Sequence, residues 1–159
     1  MFRETRYSVC EIPVPNKKKR ATRNRLYRFD TRSFRWKGIK PAPYKLSGED
    51  FSGIIRQAIT GTNGESTKFH LRYFEISPGG YSSYETHRHE HVVICIRGRG
   101  RVKLGTRSVE MKPFDILYIA PEKPHRLYNP YQEPFGFFCI VDAKRDRPKP
   151  VKNTKRRRI

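Results

Sequence analysis

Three of the 5 histidines in this 159-residue chain, His87, His89 and His91, fall in one short run. Glu85 stands two residues ahead of them, and His125 opens a later apolar stretch. Imidazole and carboxylate are the usual donors to Mn, Fe, Ni, Cu and Zn. Residues two apart on a strand face the same side, so Glu85 and His87 can both point into a barrel. His91 can add a donor from the next strand, and His125 can close the set if the fold brings it opposite. The competing explanation is an ordinary group of surface or core histidines. No Ser-His-Asp constellation and no phosphate-cradling glycine loop is recognisable in the chain.

The elements needed to position these residues are strands. Asn63-Gly64 between GIIRQAIT and KFHLRYFEI is a hairpin signal. A short helix over 50–59 is the competing reading, which Gly53 and the β-branched residues weaken. Pro78-Gly79-Gly80, Gly98-Arg99-Gly100 and Gly105-Thr106 punctuate further short runs at 91–97, 101–104 and 108–111. Strands follow at 115–120, 125–129 and 133–142. Many short strands at such spacing, with no βαβ alternation, indicate an all-β sandwich or barrel.

The spacing of the histidines resembles that of the cupin superfamily, small jelly-roll β-barrels. The first motif of that family is G(x)5HxH(x)3–4E(x)6G. This chain fits it without a gap from Gly79 through Glu85-Thr86-His87 and His91 to Gly98. The second motif, G(x)5PxG(x)2H(x)3N, is matched from Phe114 to Asn129, with His125 and Asn129 in register. The resemblance covers about residues 53–142. Departures are Glu85 for the first histidine, His91 for the glutamate, Phe114 and Glu122 for glycines, and Ala120 for the proline.

The resemblance implies a single cupin barrel over 53–143 holding one divalent transition metal (Fe, Mn, Ni, Cu or Zn) on Glu85, His87, His91 and His125. His89 falls in the linker between two strands and is the less favoured ligand. Histidines with a carboxylate and vacant positions resemble the set of non-haem iron oxygenases. A dioxygenase-like oxidoreductase acting on a small metal-coordinating substrate is therefore the leading expectation. A non-catalytic ligand-binding or sensor cupin is the alternative. Val93 and Cys95 share strand parity with His91 and should line the pocket. In KFHLRYFEI either His70, Arg72 and Phe74 or Phe69, Leu71 and Tyr73 face inward, so Arg72 and Tyr73 are both candidates. Tyr118 is a further wall candidate, as are Phe137 and Cys139 on one parity or Phe138 on the other. Arg97, Arg99 and Arg101 read as a solvated basic face, with an anionic-substrate clamp as the sharper alternative.

Charge separates the chain into parts. The formal net charge is +20, but residues 1–40 carry 13 basic and 3 acidic side chains, and residues 144–159 carry 9 and 1. Residues 41–143 hold 13 basic and 11 acidic groups, close to balance. Segments 1–25 and 144–159 are therefore expected as flexible or disordered basic tails. Residues 26–52 are expected as an arm on the barrel or on a partner subunit, in keeping with a homodimer by family habit. Tails of this charge suit non-specific nucleic acid or another polyanion, without any sequence-reading motif. No apolar run reaches about 18 residues, which excludes a helical membrane span. The N-terminus lacks a secretory h-region, and the odd count of 3 cysteines (Cys10, Cys95, Cys139) suits reduced thiols in the cytoplasm.

Overall fold

In a computed structural model, residues 24–45 and 50–151 are described, and they contain strands and no helix. The strands are β1 (Phe29–Asp30), β2 (Arg35–Trp36), β3 (Ala42–Pro43), β4 (Ser52–Thr60), β5 (Phe69–Tyr81), β6 (Glu85–Thr86) and β7 (His91–Arg97). They continue with β8 (Gly100–Leu104), β9 (Arg107–Met111), β10 (Ile116–Ile119), β11 (His125–Tyr128), β12 (Phe135–Asp142) and β13 (Lys149–Pro150). One sheet runs β10-β7-β12-β5-β11-β6-β13, with β4 beside β5 and the β8–β9 hairpin on β11. It curls into a nearly closed barrel.

Alternation along the strands explains the interior. In β7, His91, Val93 and Cys95 are buried while Val92, Ile94 and Ile96 are less so. In β12, Phe135, Phe137, Cys139 and Val141 point inward. Burying such side chains contributes about 1.5–3 kcal/mol each relative to exposure. The outer face of the same strands is covered locally by the β1–β2 hairpin. Trp36 packs there against Tyr73 and Phe138, with ring centroids 5.1 and 5.3 Å apart. Glu75 ties hairpin to barrel, accepting hydrogen bonds from Arg35 (3.2 Å), Arg97 (2.7 Å) and the Tyr73 hydroxyl (2.7 Å).

Several expectations are corrected here. Residues 52–60 form strand β4, since they pair with β5 from Ser52↔Tyr81 to Thr60↔Leu71. The Asn63-Gly64 turn belongs to a longer loop, in which the Glu65 carboxylate accepts the N–H groups of Gly61 and Asn63 at 3.1 and 2.9 Å. Residues 144–151 are not a disordered tail. β13 pairs with β6 (Lys149↔Thr86, Pro150↔Glu85), and the Val151 amide donates to the Tyr84 carbonyl at 2.9 Å. Backbone pairing outweighs the like charge of the segment. Residues 1–23 and 152–159, with Cys10 and most of both basic segments, lie outside the described residues.

The two motif positions where glycine is replaced keep a glycine-like backbone, with φ 74° at Phe114 and 61° at Glu122. Gly98, which closes the first motif, has φ 56°, and a Cβ there would lie 2.2 Å from the Pro134 carbonyl oxygen. Gly98→Ala is expected to cost about 2–3 kcal/mol, because both the left-handed conformation and a backbone atom oppose the methyl group. Urea unfolding of the variant measures this.

Candidate metal centre

His125 begins β11 opposite Glu85 of β6, and His91 begins β7 opposite Ile119 of β10. His87 and His89 occupy the short connection between β6 and β7. Barrel closure therefore gathers four imidazoles at one place. His87, His91, His125 and His89 are all buried, at 2, 8, 2 and 7 % exposure. The donor nitrogens of His87, His91 and His125 lie within 4.8 Å of one another. Ring centroids are 4.4 Å apart for His87–His91, 4.9 Å for His87–His125 and 5.2 Å for His91–His125.

Hydrogen bonds fix which nitrogen of each ring faces the centre. The Nδ1–H of His87 donates to the His89 carbonyl at 2.6 Å, and that of His125 donates to the Lys123 carbonyl at 2.8 Å. A carbonyl only accepts, so in both rings Nε2 keeps its lone pair. The His87 Nε2 atom is buried with no hydrogen-bond partner. An orphaned acceptor of this kind is costly unless a cation or donor meets it. His91 places Nδ1 3.5 Å from the Cys139 sulfur, which itself accepts from Arg72 Nη2 at 3.2 Å. The three-imidazole set thus fits a divalent transition metal, which His87, His91 and His125 could hold.

His89 borders this group without belonging to it. Its ring stacks on His87 at 3.8 Å with an 8° interplanar angle, so one ion cannot lie in both ring planes. Its Nδ1–H donates to Asp146 at 2.8 Å, while its Nε2 stands 3.3 Å from Nε2 of His91. Asp146 also accepts the backbone N–H groups of Arg88 (2.9 Å) and His89 (3.1 Å). Burial works to raise its pKa, but the Arg88 amide and the His89 ring and amide outweigh it and hold the carboxyl well below its ordinary range. Sequence reasoning missed Asp146, and the only available signal was its standing as the one acid among the 16 residues of the 144–159 segment.

Glu85 faces the same cavity, and its carboxylate is engaged by Lys45 at 2.7 Å. Arg72 and Val93 line the cavity with Ile54, Arg56, Phe74 and Phe137. The other pocket candidates lie elsewhere. Cys95 is in the core beyond the cavity, its thiol pushed up to about 11 by burial. Tyr73 and Phe138 take the opposite parity and pack under Trp36. Tyr118 is 61 % exposed, because β10 pairs Tyr118 with Val92 on the outer face. Arg126 also turns outward, to Asp50.

The fold and this histidine cluster define a cupin barrel, and the chain belongs to the cupin family: residues 72–141 match its Cupin domain. It is 36% identical over 126 residues to 1-methylthio-D-xylulose 5-phosphate methylsulfurylase of Rhodospirillum rubrum, covering 79% of this chain and 80% of that protein. The crystal structure of a cupin-2 domain protein from the same organism superposes with a TM-score of 0.70 at 33% identity, covering 81% of this chain and 86% of the other. A cupin 2 conserved barrel domain protein from Rhodopseudomonas palustris gives 0.73 at 31% identity, with 81% and 88% covered.

Two outcomes follow from this geometry. Asp146→Ala should weaken metal binding about 10- to 100-fold, as loss of outer-shell support does. Titration of the variant with Mn²⁺ or Zn²⁺ measures the change. The second concerns acid. Burial is the main cause holding His87, His89, His91 and His125 below the ordinary imidazole value of 6.5. His70 is held down to about 4 by burial and then by Arg145 and Arg72. Unfolded imidazoles take up protons near pH 6.5 while these stay neutral, so the unfolded state binds more protons as pH falls. The melting temperature of metal-free protein should therefore decline between about pH 6.5 and 4. A flat profile across that window would contradict the burial.

Proposed function

We propose that this chain is a metal-dependent cupin enzyme that removes the methylsulfur group from a small phosphorylated methylthio-ketose. The reaction class is the one for which the Rhodospirillum rubrum relative is named. The observation that carries the reading is the convergence of three buried imidazoles on a cavity that also holds Lys45, Arg56 and Arg72. A pocket with a few convergent polar groups on an apolar lining suits a small polar substrate.

A divalent metal bound by His87, His91 and His125 supplies a Lewis acid able to polarise a ketone. The chain's own groups do the rest. The carbonyls of His89 and Lys123 hold two of the rings in orientation. Ile54, Val93, Leu127 and Phe137 keep the cavity dry, which strengthens every charge interaction inside it. A C–S bond next to a ketone gives way readily, because the carbon side can pass its electron pair into the neighbouring carbonyl. In balanced form, the C–S bond breaks, the methylsulfur group joins the sulfur of a thiol acceptor, and the acceptor's hydrogen ends on the ketose carbon.

The experiment is turnover of 1-methylthio-D-xylulose 5-phosphate with a small thiol, run under argon and in air. The expected result is a metal-dependent methyl disulfide at equal rates in both atmospheres. A chelator should abolish it, and His125→Ala should lower it by at least about 100-fold. Turnover confined to air, with oxygen uptake, would establish a dioxygenase instead. Absence of turnover in both would establish a binding protein.

A further inference from the structure

We infer that Arg56 and Arg72 form a subsite for the phosphate end of the ligand. The register of β4 and β5 places them together. Arg56 lies opposite Phe74 and Ala58 lies opposite Arg72, so the two arginines are diagonal neighbours on one inward face. Both line the cavity that holds the histidine cluster. Arg72 is 5 % exposed, and its guanidinium lies 5.1 Å over the Phe74 ring with Nη2 on the Cys139 sulfur, which fixes the plane of its fork.

The charge inside the cavity is unbalanced. Its lining carries Lys45, Arg56 and Arg72 against the single carboxylate of Glu85, and that carboxylate is already bound by Lys45 at 2.7 Å. Two guanidinium groups facing one apolar interior repel each other unless an anion lies between them. A phosphate monoester suits the pair better than a carboxylate. It brings up to two negative charges and enough oxygens to accept two planar forks at once. The Cys139 sulfur stands 3.5 Å from His91 Nδ1, so the subsite adjoins the metal-binding imidazoles. A short phosphorylated ketose can then place its phosphate on the arginines and its carbonyl at the metal.

The identity of the ligand rests on the function proposed above, but the test does not. Calorimetry on the metal-loaded full chain compares xylulose 5-phosphate, xylulose and inorganic phosphate. The phosphate ester should bind at least about 100-fold more tightly than xylulose, as two charge-assisted contacts require. Arg56→Gln should weaken the ester about 10- to 100-fold and leave xylulose unchanged, with Arg56→Lys in between. The basic terminal segments are identical in all variants, so their non-specific attraction cancels. Ester binding that is equal in the parent, Arg56→Gln and Arg56→Lys, or equal affinity for ester and free sugar, would overturn the subsite. Arg72→Gln is read only if its circular dichroism matches the parent; otherwise the Arg56 pair decides. Phosphate discrimination without methylsulfur transfer would remove the proposed reaction and leave the subsite standing.

Discussion

The pairing that sets His125 opposite Glu85 carries the rest of the structure. Through it β11 meets β6, while its neighbours on β8 and β5 complete the turn of the sheet. Only this closure brings an imidazole from residue 125 to those at 87 and 91. It also imposes a cost, because four neutral histidines and a carboxylate enter a dry interior, where unmet polar atoms are expensive. The structure answers that cost unevenly. Backbone carbonyls satisfy one nitrogen of His87 and of His125, whereas Nε2 of His87 is left without a partner. A fold held together by packing alone would gain nothing from that arrangement.

The connection between β6 and β7 is held from outside as well as within. Asp146 gathers two backbone amides and the His89 ring, and the His89 carbonyl in turn orients His87. The C-terminal strand β13 then lies along β6, and Pro148 adds to the cavity wall. A stretch of 9 basic residues with a single acid therefore places its acid where it supports the centre. The net charge describes the ends of the chain in bulk, but this one carboxylate ties an end to the chemistry.

Much of this was legible in the sequence because strand parity and glycine spacing are local. His91, Val93 and Cys95 alternate inward as the pattern of β7 requires, and Phe114 and Glu122 take positive φ where the motif has glycine. What was not legible depends on contacts distant along the chain. The engagement of Glu85 by Lys45 joins residues 40 apart, and that of His89 by Asp146 joins residues 57 apart. The choice between Phe137 and Phe138 needed the register with β5 and the presence of Trp36 outside. Tyr118 misled for a related reason, since its parity is set by pairing with β7 and not by its own short strand.

The central claim is that three imidazoles of this barrel hold one metal ion. X-ray absorption on protein loaded with one equivalent of Zn²⁺ or Mn²⁺ tests it most directly, by counting imidazole nitrogens in the first coordination shell. The account predicts three, falling to two in His125→Ala with the absorption edge otherwise preserved. A shell made of water and carboxylate oxygens, unchanged by that substitution, would contradict it.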